Sequence, residues 1–317
     1  VMLREMMSLR FKYVKKLTIA LNALPLDEGI TLIDVGASGD IQPRWKQIQQ
    51  FIRYIGFEPD ERSRSALIVK PQNCNDYTIR PEALGKQNNE NVDFYLCEKK
   101  EVSSLYYPRT DFLKLFPDSE RFNVVKTSRV NLTSLDAIKI ERADFIKLDT
   151  QGSELDILQG STLTLGKAYG LEVEVEFIKL YQGQALFGQI VDFLAPLGFE
   201  FIDFTNLCRW QRYKHDGLGQ CVFGDALFLK TPETVVKESS TNSELSTYLA
   251  CLLIYHRYDL ILRLFDLLPD NQKEVFANFR SALKNVERYF AYAVKINRLF
   301  GVLARKIVGN NNSHFIY

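Results

Sequence analysis

The sequence predicts an α/β protein with a mostly parallel central sheet, helices on both faces, an antiparallel last strand and a C-terminal helical appendage. Three observations support this prediction. Short apolar runs alternate with helical patterns between residues 30 and 200, as in parallel βαβ units. Two extended runs between residues 198 and 230 have no helix between them, so we expect them to pair antiparallel. Residues 231–317 show mainly helical periodicity.

Composition limits the domain count and the kind of partner. The chain has 317 residues, 46% of them hydrophobic and 25% charged, which suits one large domain with an appendage. We expect an N-terminal helix within residues 1–29, a main domain over 30–230 and a helical hairpin over 231–317. The formal net charge of +1 argues against a nucleic-acid partner. Five scattered cysteines without a CxxC pair favour reduced thiols in the cytoplasm and argue against structural zinc.

The first 24 residues mix apolar and basic side chains at helical spacing. They are too charged for a signal peptide, and their apolar runs are far too short for a membrane span. We therefore predict an amphipathic helix. Two interpretations stay open, namely packing on the main domain and contact of its basic face with anionic lipid.

Residues 30–40, ITLIDVGASGD, predict the central strand and the turn that follows it. A short apolar run bounded by turn residues suits a strand buried on both faces. In open α/β sheets, ligands bind beyond the carboxyl ends of the strands, where glycines let the backbone approach them. The residues expected to line such a pocket are Asp34, Gly36, Ser38, Gly39 and Asp40.

An acidic residue after the second strand indicates a ribose ligand. A helix is expected over residues 42–52 and a strand over 54–57, followed by Glu58. An acid roughly 20 residues beyond the glycine turn is placed to accept hydrogen bonds from both ribose hydroxyls. The turn lacks the GxGxxG pattern of dinucleotide sites, and Asp40 would lie beside a phosphate. A ligand with a ribose, no phosphate and a positive centre fits better, and S-adenosylmethionine is such a ligand.

The next segments supply a second acid at the same edge. Strands are expected over residues 77–83, 92–97, 124–132 and 144–149, the last ending in Asp149. Asp149 should face the group that the cofactor presents, whereas Glu154, in the first turn of the next helix, is expected to be structural. Ser103 and Ser104 are either ligand contacts or ordinary turn serines.

Residues 170–177, GLEVEVEF, place three glutamates on one face of a strand. Buried carboxylates are costly unless they are paired, and Lys147 is a candidate partner. One interpretation has salt bridges and one glutamate exposed at the rim. The other makes Glu176, with Glu174 as a second candidate, a contact to substrate hydroxyls or a base.

The antiparallel end of the sheet follows a helix over residues 187–195. Strands are expected over 198–204 and 221–230, joined by a polar loop over 209–219. This loop carries His215, which is either an inert surface histidine or a candidate base.

These segments resemble the FkbM-type S-adenosylmethionine-dependent methyltransferases. The matching pieces, in order, are IDVGASGD, GFEPD, ALG before SSLY, LTSLD, DFIKLDTQGSELDILQG, LEVEVEFIKLYQG and GDALF. The resemblance implies a Rossmann-like methyltransferase sheet and O-methylation of a hydroxyl, commonly on a sugar or secondary metabolite. It also implies roles by position: Asp34, Gly36, Ser38 and Gly39 would hold the methionine part and Glu58 the ribose. Leu84 and Gly85 would lie near the adenine, and Asp149 and Glu176 would flank the acceptor. No metal ligands are predicted.

The residues after 230 lie outside this resemblance. A polar linker is expected over 238–242, then two helices over 245–268 and 272–308 with a break at Pro269. The hairpin is expected to dock on the main domain or to form a homodimer. Basic residues near the chain end leave peripheral membrane contact as an alternative.

The predicted reaction is an in-line attack by a hydroxyl of a small molecule or glycan on the sulfonium methyl group. A neutral hydroxyl is a weak nucleophile, so a base must take its proton. Asp149, Glu176 and His215 are the candidates, in that order. The alternative function is a non-catalytic module that binds an adenosine ligand while its helical hairpin recruits a partner.

Overall fold

The computed structural model describes residues 2–26, 28–69, 72–213, 218–239 and 241–308. Residues 30–42 and 49–231 contain one compact unit, which we call the sheet unit. The remaining described residues belong to a second compact unit, the helical unit.

The strands and helices are numbered along the chain. The strands are β1 (Ile30–Val35), β2 (Ile52–Phe57), β3 (Asp76–Arg80), β4 (Ala83–Leu84), β5 (Asn89–Cys97), β6 (Val124–Thr133), β7 (Phe145–Leu148), β8 (Gly170–Glu176), β9 (Phe199–Trp210) and β10 (Gln220–Lys230). The α-helices are α1 (Met2–Asn22), α2 (Pro43–Lys46), α3 (Glu61–Ile68), α4 (Thr110–Leu113), α5 (Leu135–Ile138), α6 (Glu154–Gln159), α7 (Thr162–Lys167), α8 (Phe187–Leu194), α9 (Pro232–Glu238), α10 (Asn242–Ile254), α11 (Tyr258–Leu267), α12 (Asp270–Val275) and α13 (Ala277–Val308).

The sheet unit contains a seven-stranded sheet of order β3-β2-β1-β7-β8-β10-β9. Strand β1 pairs in parallel with β2 and β7, and β7 pairs in parallel with β8. Strand β10 is antiparallel to both β8 and β9. The predicted fold class, a mostly parallel sheet with an antiparallel last strand, is confirmed.

Strands β1 and β8 form the centre of the core. Every residue of both strands is buried. Apolar side chains from these strands pack with those of β7, α6 and α8 in one cluster. This apolar cluster covers the sheet and holds the ends of its strands in position. The register places Asp34 opposite Lys147, and Val35 opposite Phe57 and Leu148, so the ends of β1, β2 and β7 lie side by side.

A smaller sheet of order β4-β6-β5 lies within the insertion between β3 and β7. The third strand was expected to continue to residue 83 but ends at Arg80. Pro81 provides the reason, because proline has no N–H to donate to a neighbouring strand. The chain then resumes as β4, which pairs with β6 instead of β2.

The helix expected over residues 42–52 is shorter than predicted. Helix α2 ends at Lys46, a 3₁₀ turn covers Gln49–Phe51, and β2 already begins at Ile52. Ile52 pairs with Ile30 in the sheet, so tertiary pairing takes residues that the helical pattern had assigned to the helix.

The helical unit contains α1, α2 and α9 to α13. Helix α1 lies along α13, and Leu17 and Leu21 of α1 are fully buried. His256 follows α10, and its ring stacks on Phe290 at 4.1 Å between centroids. The hydroxyl of Tyr13 lies 3.0 Å from the Nδ1 atom of His256.

The expected pair of C-terminal helices is divided further in the structure. The first is interrupted at His256, whose φ of 58° is left-handed and ends a helical run. The polar linker expected over residues 238–242 is shorter in the structure, because α9 extends to Glu238 and α10 begins at Asn242. Thr241 accepts a hydrogen bond from the Glu244 amide while the Glu244 carboxylate accepts from Thr241, a capping box that starts α10. Dimerisation or lipid contact through these helices stays a prediction.

None of the described helices combines the length and the apolar character needed to cross a bilayer.

Candidate functional site

Two neighbouring cavities open at the carboxyl ends of β1, β2 and β7. The first has about 560 Å³ of empty space and the second about 1230 Å³, both including volume open to solvent. Gly36, Ser38, Asp149 and Gln151 line both cavities. The glycine turn and the acid after β7 therefore lie between the two cavities, where the sequence placed the ligand pocket.

The turn after β1 requires glycine at its first position. Gly36 has a φ of +81°, and a Cβ atom there would overlap the carbonyl oxygen of Asp149. The amides of Gly36 and Ala37 both donate to the carbonyl oxygen of Phe57, at 3.0 and 3.1 Å. This close approach joins the ends of three strands. Gly39 has open space around its Cα and lines the second cavity.

Glu58 lines the first cavity directly after β2. Its carboxylate accepts a hydrogen bond from the Asp60 amide at 2.8 Å. Burial raises the pKa of Glu58 to about 7, more than that backbone hydrogen bond lowers it. Phe57 and Leu84 contribute apolar surface to the same cavity. The first cavity thus combines one carboxyl group with apolar walls.

Arg62 connects α3 to the insertion beside the first cavity. Its guanidinium donates to Asp60 at 2.9 Å, to the Ser103 hydroxyl at 3.0 Å and to the Cys97 carbonyl at 3.2 Å. The Ser103 hydroxyl also accepts from the Cys97 amide. Ser104 donates to the carbonyl oxygen of Gln151 at 2.7 Å. Both serine hydroxyls therefore bind protein groups, although Ser103 still lines the first cavity.

Asp34 lines the second cavity as a buried, bonded carboxylate. It accepts a hydrogen bond from the Tyr54 hydroxyl at 2.7 Å and forms an ion pair with Lys147 at 3.4 Å. Lys147 also pairs with Asp149 at 3.5 Å. Burial lowers the pKa of Lys147, but Asp34 and Asp149 raise it more, so its net pKa is above the ordinary value. Lys147 is a fixed positive charge between two carboxylates.

The three glutamates of β8 are all buried, so the interpretation with one rim-exposed glutamate is wrong. Strand β8 lies in the interior of the sheet, and amide side chains donate hydrogen bonds to two of its carboxyl groups. The Gln42 amide donates to Glu172 at 2.6 Å, and the Gln151 amide donates to Glu174 at 2.7 Å. Glu174 and Glu176 line the second cavity.

The pKa values of Glu174 and Glu176 lie well above the ordinary range. For Glu174 the largest cause is burial, followed by the nearby charges of Asp149 and Glu176. For Glu176 burial again comes first, followed by Glu154 and Asp149. Burial and nearby like charges both disfavour the ionised form, so these two groups retain their protons to a higher pH than ordinary glutamates do.

Gln151 holds this carboxyl cluster together, and sequence reasoning did not single it out. Its amide donates to Asp149 at 3.0 Å as well as to Glu174, and its carbonyl accepts from the Tyr181 hydroxyl at 3.1 Å. It has a φ of 60°, which is uncommon for a residue other than glycine. The sequence feature that could have identified Gln151 is its position two residues beyond Asp149, in the turn after β7.

Glu154 carries out the structural role expected of it. Its carboxylate accepts hydrogen bonds from the amides of Thr150 at 2.7 Å and Gly152 at 2.9 Å. These bonds fix the turn that positions Asp149 and Gln151.

Two predicted site residues, Gly85 and His215, are not among the described residues that line the two cavities. Leu84 lines the first cavity, but Gly85 is absent from the described lining of either cavity. The Gly85 amide donates to Thr133, and its carbonyl lies so close to Gly160 that a Cβ there would overlap it. Its place near an adenine ring is therefore not supported by the cavity lining. His215 lies outside the described residues, and its role stays a prediction.

A family model described as the methyltransferase FkbM domain matches residues 42–201, just over half of the chain. The chain belongs to the FkbM methyltransferase family. The resemblance predicted from its motifs is confirmed. No curated protein matched this FkbM-family chain in sequence.

Several solved structures resemble this methyltransferase at low identity. An FkbM methyltransferase from Methylobacillus flagellatus is 14% identical with a TM-score of 0.38, and the match covers 63% of this chain and 43% of that one. The magnesium protoporphyrin IX methyltransferase of Synechocystis is 11% identical with a TM-score of 0.36, covering 69% and 76%. The precorrin-6y methyltransferase of Geobacter metallireducens is 11% identical with a TM-score of 0.34, covering 68% and 88%. This chain spans less than half of the first of these proteins.

Proposed function

We propose that this methyltransferase transfers the methyl group to a hydroxyl of a sugar, glycan or secondary metabolite. The observation that carries the proposal is the composition of the second cavity. Asp149, Glu174 and Glu176 line it together with the aromatic side chains of Trp210 and Phe223. Carboxyl groups that bond hydroxyls, next to aromatic faces that contact C–H surfaces, are suited to a polyhydroxylated acceptor.

The residues of the two cavities fit S-adenosylmethionine. In the first cavity, Glu58 would accept hydrogen bonds from the ribose hydroxyls, and Phe57 and Leu84 would contact the adenine. At the boundary, Gly36 lines both cavities and would lie beside the methionine part. Asp34, Ser38 and Gly39, which line the second cavity, would complete the methionine site.

The charge of the second cavity supports the same cofactor. Leaving aside Glu174 and Glu176, whose pKa values are raised, four carboxyl side chains line it, against three basic ones. They are Asp34, Asp40, Glu101 and Asp149, against Lys99, Arg121 and Lys147. An acidic surface favours the ammonium and sulfonium groups of the cofactor and disfavours a pyrophosphate.

When bound, the cofactor supplies an electrophilic methyl group. Asp149 and Glu101 both line the two cavities, and Asp149, which directly follows the central strand β7, would accept the proton of an acceptor hydroxyl. Gln151 orients Asp149, and Lys147 keeps its charge balanced. Burial raises the pKa of Glu176 well above its ordinary value, and Glu176 lines the second cavity, where it would form a hydrogen bond with the acceptor. Holding both reactants in place accounts for about 7–11 kcal/mol in the best intramolecular models.

A methyl-transfer assay tests the proposal. Purified protein is incubated with S-adenosylmethionine and a panel of neutral and acidic sugars, glycans and phenolic or aliphatic alcohols. We expect release of S-adenosylhomocysteine with at least one hydroxyl acceptor, and a methoxy signal in the NMR spectrum of the product. Transfer only to amines or carbon acceptors would contradict O-methylation while leaving the methyltransferase family intact.

A further inference from the structure

Two basic residues line the second cavity from the insertion that carries the smaller sheet. Lys99 lies just beyond β5 and Arg121 just before β6, and the Lys99 amide donates to the Arg121 carbonyl at 3.1 Å. Both side chains line the second cavity. They come from a different part of the fold than Glu174 and Glu176, which lie on β8.

Aromatic rings hold the Arg121 guanidinium. Its central carbon lies 4.7 Å from the centre of the Trp210 ring and 5.1 Å from that of Phe122. A guanidinium that stacks on rings keeps the N–H groups at its edge available for a planar acceptor such as a carboxylate or phosphate. The two rings therefore restrain the orientation of Arg121, which lines the second cavity.

Within the described part of the chain, no protein carboxylate forms an ion pair with Lys99 or Arg121. The ion pairs recorded there include none formed by Lys99 or Arg121, and neither side chain donates a hydrogen bond. Other basic residues behave differently: Arg62 pairs with Asp60, and Lys147 pairs with Asp34 and Asp149. An exposed lysine and an unpaired arginine that share a cavity wall form a site for a negatively charged group.

We propose that Lys99 and Arg121 bind an anionic group of the acceptor, either a carboxylate or a phosphate. The substrate class is then an acidic hydroxyl compound, such as a uronic acid or a sugar phosphate. This inference rests on the proposed function, because it takes the second cavity as the acceptor site. The carboxylate of Asp149 repels an anion, so the acceptor would bind with its anionic group at Arg121 and a hydroxyl toward Asp149.

Sugar binding to the protein loaded with S-adenosylhomocysteine tests the inference. The probes are glucose, glucuronate and glucose 6-phosphate, measured by calorimetry. We expect at least one anionic sugar to bind roughly 10- to 100-fold more tightly than glucose, as two charge-assisted hydrogen bonds provide. The tighter of the two anionic probes identifies the carboxylate or the phosphate as the recognised group.

Charge-neutral variants distinguish binding at Lys99 and Arg121 from a general electrostatic attraction of anions to the protein. R121Q and K99Q should each lower the preference for the anionic probe, and R121Q should reduce it to the level of glucose. K126Q is the matched control, because Lys126 is exposed on β6 and is not among the described residues that line the cavity. The inference is wrong if neither anionic sugar binds better than glucose, if R121Q retains the preference, or if K126Q loses it equally.

The failure of this inference is distinguishable from that of the proposed function. Affinity for S-adenosylhomocysteine is measured first in the wild type and in R121Q, where we expect equal values. Absence of that binding in the wild type contradicts the proposed cofactor site. Normal binding without a preference for anionic sugars contradicts only the role of Lys99 and Arg121.

Discussion

Asp149 combines three properties that a base in this site needs. It ends a buried strand, it lines both cavities, and its carboxylate is oriented by the Gln151 amide at 3.0 Å. Its side chain is 36% exposed, so it can reach an acceptor, whereas Glu174 and Glu176 are buried. Position and access therefore distinguish Asp149 from its neighbours.

Replacing Asp149 by asparagine removes the base while preserving its shape. D149N should lower kcat by roughly 10²- to 10⁴-fold, the usual contribution of general-base catalysis, with affinity for S-adenosylhomocysteine within a few-fold of wild type. Steady-state kinetics and calorimetry measure the two effects. D192N serves as control, because Asp192 is exposed on α8. Unchanged turnover in D149N would remove Asp149 from the mechanism.

Glu58 should make cofactor binding depend on pH. Burial raises its pKa to about 7, and only the ionised carboxylate accepts hydrogen bonds from both ribose hydroxyls. Affinity for S-adenosylhomocysteine should therefore increase by about tenfold from one pH unit below that pKa to one unit above it. E58Q should bind more weakly and lose this dependence. Calorimetric titrations over the same pH range that show a flat wild-type profile would contradict the role of Glu58.

The turn after β1 is the element on which the geometry of the site depends. Gly36 joins the ends of β1, β2 and β7 through its contacts with Phe57 and Asp149. Its sequence signal was clear, because glycine after an apolar run predicts a turn with a special backbone conformation.

Alanine substitutions at the two glycines of this turn should differ sharply. G36A places a Cβ in a left-handed conformation and against the Asp149 carbonyl, so we expect a loss of about 2–4 kcal/mol in the free energy of unfolding and loss of cofactor binding. G39A meets open space and should change stability by less than about 1 kcal/mol. Urea unfolding measures both. Equal effects would show that the turn tolerates a side chain at Gly36.

At the level of elements, sequence patterns predicted strands better than helices. Apolar runs located β1 and β7, because burial on both faces leaves a direct signal in composition, and alternation of apolar and acidic residues located β8. Helix α2 was predicted too long, since pairing of Ile52 with Ile30 overrides local helical preference.

Partners across the chain were harder to predict than the groups themselves. The glutamates of β8 were visible as a pattern, but their glutamine partners come from other segments of the chain. Gln42 lies 130 residues from Glu172, and Gln151 lies 23 residues from Glu174. Periodicity carries no information on such contacts, which depend on the finished packing.

Each of the two compact units carries a titratable group that makes its stability depend on pH, and the two dependences run in opposite directions. In the helical unit, burial lowers the pKa of His256 to about 4 from 6.5. That histidine stabilises the folded unit above pH 6.5, and the contribution is lost as pH falls through about 4. In the sheet unit, the raised pKa of Glu58 makes stability change with pH in the opposite direction. Its contribution is complete below pH 4.5 and is lost as pH rises through about 7.

Each unit contains one of the two tryptophans, which allows its unfolding to be followed separately. Trp45 lies in the helical unit and Trp210 in the sheet unit. With W210F as background, acidification from pH 6.5 to 4 should lower the stability reported by Trp45 fluorescence by about 3 kcal/mol. Adding H256N should weaken the unit at neutral pH and remove this dependence, since asparagine tolerates the left-handed conformation. Unchanged acid sensitivity in H256N would contradict the assignment to His256.

For the whole molecule, the central claim is an acidic site that binds a ribose-containing cofactor without a phosphate. Calorimetric titration of the purified protein with S-adenosylhomocysteine and with NAD tests this claim most directly, with E58Q as the comparison. We predict binding of S-adenosylhomocysteine at a 1:1 ratio, weakened in E58Q, and no measurable binding of NAD. Tighter binding of NAD, or no binding of S-adenosylhomocysteine, would contradict the account.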